Sequence, residues 1–278
     1  MSAEEPKLPE NVAQHYDSDR AFAYESERLT EQAPIEFAVT KRYLDQMISN
    51  GATVADIGVG TGHYAEFLAQ RNCNLYLVDI SSRLLEAAHT RLKQSHLAHQ
   101  VLEVYNISAT NLDLLKAEVC DAVLLLGPLY HLCSVEERQN AVNEAARILK
   151  PGGTILAAGI NRLAYFREQF RSHAQQVLSR QQFHQQLLKD GNTDPIHVPP
   201  LGYANLTTSE EFLQLFSASF EQHAFIGVES FTAPFPTVGN VLSSSELEAW
   251  VDLVEVTGIT PEGLAMSDHF LYIGQRRA

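Results

Sequence analysis

Ten residues, Thr53-Val54-Ala55-Asp56-Ile57-Gly58-Val59-Gly60-Thr61-Gly62, constrain this chain more than any others. An apolar strand runs directly into three glycines at alternating positions. Glycine has no Cβ, so a backbone built from it turns tightly and comes close to a ligand. Strand, glycine turn and helix together form the platform on which a doubly wound α/β sheet holds a nucleotide-like cofactor. The spacing matters. Dinucleotide sites typically read G-x-G-x-x-G, whereas this chain reads G-x-G-x-G, with His63 where the third fingerprint glycine would fall. Asp79 follows Gly58 by 21 residues, at the end of a second apolar run. A carboxylate there can accept hydrogen bonds from both hydroxyls of a ribose.

The hydrophobic pattern extends this start. Val54–Ile57, Asn74–Val78, Val101–Tyr105, Asp121–Leu126 and Thr154–Ile160 read as strands, separated by segments of helical period. Asp121–Leu126 is almost continuously apolar, as a parallel strand buried on both faces should be. Ser81 or Ser82 caps one helix. Ser134-Val135-Glu136-Glu137 has the form of a capping box, and Lys150-Pro151-Gly152-Gly153 ends the helix it opens. The alternation predicts a parallel sheet with helices on both faces. Residues 1 to about 20 read as a loose arm, and one helical region is expected from about Tyr24 to Asn50. From Asn161 to about residue 205 the strand pattern stops, and apolar residues at helical spacing predict a helical insertion. A capped helix from Thr208, a strand near His223–Val228, a variable stretch from 232 to 265 and a last strand at His269–Gly274 complete the chain. The expected organisation is an N-terminal arm and helical region over 1–50, acting as a lid. A main domain follows over 51–278, with a cap at about 161–205.

Three segments together point to a family. Val78-Asp79-Ile80-Ser81 with Leu85 matches V-D-x-S-x-x-x-L, and Glu144 through Gly153 matches E-x-x-R-x-L-K-P-G-G. Between them lies Leu126-Gly127-Pro128-Leu129-Tyr130-His131-Leu132. With the glycine turn, these resemble the class I S-adenosylmethionine-dependent methyltransferases over residues 50–160. The resemblance implies a Rossmann-like, doubly wound sheet of seven strands in the order 3-2-1-4-5-7-6, and S-adenosylmethionine as cofactor. It assigns Asp56 to the glycine loop and cofactor, and Gly58, Gly60 and Gly62 to the methionine portion. Asp79 and Ile80 fall to the ribose, Ser108 and Ala109 to the adenine, and Leu126 and Gly127 to the floor beneath the sulfonium. Ser108 stands where the family usually has an aspartate; a hydroxyl can accept the same hydrogen bond more weakly. The implied function is methyl transfer to an oxygen or nitrogen of a small molecule. Alternatives are an NAD-linked oxidoreductase, a cofactor-binding protein without chemistry, and cyclisation or pericyclic chemistry.

Tyr130 and His131 follow the strand that borders the crevice and are the candidate catalytic residues, His131 as a base. Tyr16, Tyr24, Arg28 and Arg162 are candidate substrate contacts. Between Asn161 and Lys189 the chain carries Arg162, Arg167, Arg171, Arg180 and Lys189 against Glu168 alone, a basic island in a chain of net charge −14. That acidic balance argues against a nucleic-acid partner. So does Gly127-Pro128-Leu129-Tyr130, which lacks the acceptor that enzymes methylating DNA amines place there. Three cysteines without a C-x-x-C pair suit reduced thiols in a cytoplasm and no metal. No apolar run is long enough to span a membrane.

Overall fold

A computed structural model describes residues 8–277, with side chains from Val12 onward. In chain order the elements are α1 (Leu8–Asp17), α2 (Asp19–Glu27), a π-helical turn (Arg28–Gln32), α3 (Pro34–Met47), β1 (Thr53–Ile57), α4 (His63–Gln70), β2 (Asn74–Asp79), α5 (Ser82–Gln94), β3 (Val101–Asn106), β4 (Cys120–Leu125), α6 (Val135–Ile148), β5 (Leu149–Asn161), α7 (Arg162–His173), α8 (Gln181–Asp190), β6 (Leu206–Thr207), α9 (Ser209–Gln214), β7 (Phe220–Gly227), α10 (Ser244–Gly258), α11 (Pro261–Met266) and β8 (His269–Arg276).

The sheet runs β3-β2-β1-β4-β5-β8-β7, with the two-residue β6 pairing β5 off this path. Numbered without β6, this is the expected order, extended by one short strand. β1 to β5 are parallel, and β8 is antiparallel to both of its neighbours. Each central strand is buried on both faces because alternate residues serve two cores. Val54 of β1 and Leu124 of β4 pack with Leu44 of α3, Leu68 of α4, Leu92 of α5 and Val254 of α10. Ala55, Ile57, Val123 and Leu125 pack with Val142 and Ile148 of α6 and Phe212 of α9. The chain reverses between β1 and β4, so the carboxyl ends of these strands border the crevice where such sheets bind ligands. The insertion keeps a small core of its own from Tyr165, Phe183, Leu187 and Leu206.

Three expectations change. The arm up to residue 20 is helical from Leu8. Val12 is buried, Ser18 caps α2 by accepting from the Ala21 N–H, and α1 packs on α5. Residues 1–7 lie outside the described residues. The helical region from Tyr24 to Asn50 is present, divided at Pro34, which lacks an N–H and starts α3. Within the stretch 232–265, α10 is a long helix whose capping box is formed by Ser243 and Glu246. At Ser134 the hydroxyl accepts from the Glu136 and Glu137 N–H groups, so the cap is present, but the Glu137 side chain does not reach back to the Ser134 N–H and the box is not closed.

The start of β8 is fixed by an enclosed carboxylate. Glu229 accepts from the Ser267 hydroxyl at 2.5 Å and from the His269 N–H at 2.9 Å, and meets His269 Nδ1 at 2.5 Å. Burial alone would lower the His269 pKa, but Glu36 and Glu229 outweigh it and push the imidazole up to about 9. A folded-state value above the ordinary 6.5 means the stabilisation is complete below about pH 6.5 and is lost as pH rises through about 9. The urea midpoint is therefore expected to fall between pH 7 and pH 9.5, and His269→Gln is expected to remove most of that fall. Equal falls in both chains would show that the pair does not stabilise the fold.

Candidate functional site

The glycine turn is held by β2. The N–H groups of Gly58 and Val59 donate to the Val78 carbonyl at 2.8 and 3.1 Å. The Gly60 N–H donates to Asp79 Oδ2 at 3.0 Å, and the Ser81 N–H to Asp79 Oδ1 at 2.9 Å. All three glycines have positive φ, yet each answers a different need. A Cβ on Gly58 would sit 2.6 Å from the Pro128 ring, and one on Gly62 would sit 2.9 Å from the Ala88 backbone of α5. A Cβ on Gly60 would meet nothing within 4 Å. Gly58 and Gly62 thus allow close packing, while Gly60 borders open space.

That space is a cavity at the carboxyl ends of β1, β2 and β4. Gly58, Gly60, Asp79, Ile80, Ser108, Ala109, Gly127, Tyr130 and His131 all line it, so most of the expected cofactor and catalytic positions come together. Burial pushes the Asp79 carboxyl up to about 6, against the opposing pull of the Ser81 and Gly60 N–H groups. With two N–H donors accepted, the carboxylate still has lone pairs for ligand hydroxyls. Ser108 bonds Thr110 at 2.9 Å, so its hydroxyl reaches the cavity already partnered. Ile107 and Leu84 add apolar walls.

Three expected cofactor residues lie elsewhere. Asp56 is 3% exposed and does not line the cavity; its Oδ2 has no hydrogen-bond partner. Burial, then repulsion from Asp79, pushes its carboxyl up to about 7. The Gly60 N–H bonds Asp79, not Asp56, so the loop is held by the second strand's acid. Gly62 packs on α5. Leu126 faces a separate small cavity with Tyr64 and Phe270 and packs on the core formed with α3 and α4.

A second cavity of about 480 Å³ adjoins the first, with Tyr16, Glu25 and Tyr130 lining both. This volume suits a small organic ligand. Tyr24, Arg28, His269 and Pro199–Leu201 complete much of its wall. Arg28 lies 2.8 Å from Glu36 and 3.6 Å from Glu25. Arg162 does not reach it. It is buried, donates to the Leu206 and Leu188 carbonyls at 2.9 and 3.2 Å, and pairs with Glu211 at 2.5 Å, which ties the insertion to α9.

The N-terminal helices form the roof. Asp17 accepts from the Ser81 hydroxyl at 2.6 Å, and the Thr61 hydroxyl reaches the Glu25 carbonyl at 3.3 Å. The Tyr16 hydroxyl lies 2.6 Å from His131 Nε2, and His131 Nδ1 lies 3.3 Å from the Tyr203 carbonyl. A carbonyl only accepts, so Nδ1 carries the proton and Nε2 accepts from Tyr16. Burial holds the imidazole down at about 4, so His131 is neutral at pH 7 with its lone pair engaged. Its expected role as a base conflicts with this arrangement. Val12, Glu25 and Ile107 were not among the expected site residues. No motif marks Val12 and Glu25, because α1 and α2 bring them to the cavity from outside the sheet, whereas Ile107 directly follows β3 beside the expected Ser108.

The metal question has a local answer. Ligand atoms of Glu36, Glu229 and His269 lie within 4.8 Å of one another. Arg28 pairs with Glu36 and His269 with Glu229, so the group forms an ion-pair network.

Residues 55–157 match a family model described as a methyltransferase domain. Over those residues the chain carries a methyltransferase domain. Among curated relatives, the chain is 31% identical over 121 residues to a ubiquinone biosynthesis O-methyltransferase of Dechloromonas aromatica, covering 43% of this chain and 50% of that protein. It is 32% identical over 111 residues to a tRNA (carboxymethyluridine(34)-5-O)-methyltransferase of Mus musculus, covering 39% of this chain and 15% of that protein. The chain thus spans half or less of the length of these relatives. Methyltransferases of tRNA among them leave the expected absence of a nucleic-acid partner without support. Among solved structures, the fold is shared with the cyclase SpnF, at TM-score 0.63 and 18% identity over 98% of both chains. It is shared also with the N-methyltransferase NodS of Bradyrhizobium japonicum bound to S-adenosylhomocysteine, at TM-score 0.58 and 12% identity, over 98% of this chain and 100% of that one. Among the described residues, no helix of this methyltransferase-domain protein is long and apolar enough to cross a membrane.

The glycines offer a sharp comparison. Gly62→Ala is expected to destabilise the fold by roughly 3 kcal/mol, from left-handed strain plus overlap with α5. Gly60→Ala carries the strain alone, about 1 kcal/mol, and should instead weaken S-adenosylhomocysteine binding. Urea denaturation and calorimetric titration of the two variants measure both effects. Equal stability losses would remove the distinction.

Proposed function

We propose that the protein transfers a methyl group from S-adenosylmethionine to a small-molecule acceptor. The observation that carries this reading is the pair of adjoining cavities, one on the glycine loop and one beside it, joined at Tyr16, Glu25 and Tyr130. The residues fit the cofactor. Asp79 offers acceptors to a ribose, Gly60 leaves room for close approach, and Ser108 and Ala109 lie where an adenine would rest. When bound, S-adenosylmethionine supplies an electrophilic methyl group on a positively charged sulfur.

The chain's own groups then bind, orient and exclude water. Most of the acceleration in such a displacement can come from aligning the reactants in a desolvated pocket. α1 and α2 close that pocket from above, with the chain from 161 to 205 contributing the Pro199–Leu201 wall. Tyr130 lines the junction where the two reactants would meet. His131 acts as a positioning residue, holding Tyr16 and with it the roof. The small-molecule reading is supported by the likeness to a ubiquinone biosynthesis O-methyltransferase and by the size of the second cavity. The chain's charge of −14 opposes a tRNA acceptor.

Calorimetric titration with S-adenosylhomocysteine and with NAD tests the cofactor. Micromolar binding of the first and none of the second is expected. Asp79→Asn should weaken that binding about tenfold, in line with loss of charge-assisted hydrogen bonds of ~1.5 kcal/mol. Binding of NAD alone would contradict the reading. Incubation with methyl-labelled cofactor and cell extract then reports the acceptor, with label in a small metabolite expected and label in tRNA contrary to it. His131→Ala should leave the shape of the kcat–pH profile between pH 6 and 8 unchanged, since the imidazole is neutral throughout. Loss of a limb near pH 6.5 would restore it as a base.

A further inference from the structure

We propose that the methyl acceptor is a small amine bound as its ammonium ion, and that Glu25 receives a proton from it as the N–C bond forms. This rests on the methyl-transfer reading above and names the substrate class of that site.

The argument starts from charge. Around the second cavity and the ion-pair network behind it stand three carboxylates, Glu25, Glu36 and Glu229, and two enclosed cations, Arg28 and His269. The cations have close partners: Arg28 meets Glu36 at 2.8 Å, and His269 meets Glu229 at 2.5 Å. Glu25 is left with Arg28 at 3.6 Å. Asp268, on the far side, is paired with Arg167, and Arg20 stands exposed at the rim. Glu25 is therefore the carboxylate of the three whose cation is more closely engaged by another acid.

Position gives that charge its meaning. Glu25 lines both cavities, so its carboxylate stands where an acceptor in one meets the cofactor in the other. Tyr16 and Tyr130 flank it there, and Tyr24 stands on the wall of the second cavity. Aromatic faces and a carboxylate together favour an ammonium over a neutral or anionic group. Burial raises the proton affinity of Glu25, with Arg28 opposing and Glu36 reinforcing the rise. His15 weakly opposes it, and Asp79, Tyr16 and Tyr130 are the other ionisable groups nearby.

The step balances without another reactant. An ammonium has no lone pair to attack with. One N–H proton passes to the Glu25 carboxylate, which frees the pair on nitrogen. That pair forms the N–C bond as the C–S bond breaks, and its electrons go to sulfur, which becomes neutral. The methylated product carries the positive charge, and the proton leaves Glu25 to water.

The test uses the whole protein saturated with S-adenosylhomocysteine and three probes of similar size: phenethylamine, 4-ethylphenol and 3-phenylpropionate, titrated calorimetrically at pH 7.5. Phenethylamine should bind at least tenfold more tightly than either of the others. Glu25→Gln should remove that preference while changing the affinities for 4-ethylphenol and S-adenosylhomocysteine less than twofold. Equal or tighter binding of 3-phenylpropionate, or no binding of phenethylamine, overturns the proposal. So does a Glu25→Gln chain that loses S-adenosylhomocysteine affinity, because Glu25 would then serve the cofactor. The three-probe comparison in the unaltered chain stands even if the variant does not fold. If S-adenosylhomocysteine itself fails to bind the unaltered chain, the methyl-transfer reading falls too; if it binds without an ammonium preference, only this inference does.

Discussion

The hydrogen bond from the Gly60 N–H to Asp79 joins the glycine turn after β1 to the end of β2, and the site depends on it. Three positive-φ residues in five would otherwise leave the loop with many conformations open to it. Asp79 fixes one of them, and in doing so turns its own remaining lone pairs toward the cavity. The entropic cost of ordering these glycines is offset by packing on two sides, against Pro128 beyond β4 and Ala88 on α5. The loop that receives the cofactor is thus clamped by both neighbouring strands before any ligand arrives. That is the condition for binding without reorganisation.

A second layer of order comes from outside the sheet. α1 and α2 lie over the crevice because they find polar partners at its rim: Asp17 at Ser81, Tyr16 at His131 and Glu25 through Thr61. The same helices bring Glu25 to the boundary between the two cavities. The Arg28, Glu36, Glu229 and His269 network then secures the far wall, linking the π-helical turn, α3 and the start of β8. Burying four charged groups is tolerable only because each has an opposite charge or several N–H donors within reach. Their close pairing is also what leaves Glu25 as the charge available to a ligand.

The sheet was legible in the sequence because its signals are local. Val54–Ile57 and Asp121–Leu126 are apolar runs of strand length, and the turn after β1 is written in glycine. Asp79, Ile80 and Ser108 followed from strand ends. The roof was not legible for a physical reason. α1 and α2 are mostly polar and are held by single side chains reaching partners 64 and 115 residues away. α10 escaped notice despite its Ser243–Glu246 cap, because Trp250, Leu253 and Val256 on its outer face are exposed and blur the helical period. Arg162 looked like a substrate contact because charge in an insertion suggests recognition. Only the fold shows that its guanidinium is consumed by Leu206, Leu188 and Glu211.

Hydrogen–deuterium exchange with and without S-adenosylhomocysteine tests the account most directly. A clamped loop beneath a helical roof predicts added protection at 57–62, 79–84, 107–109 and 127–131, and also across 16–28. Protection confined to the insertion, or a glycine loop that exchanges equally with and without the ligand, would contradict it.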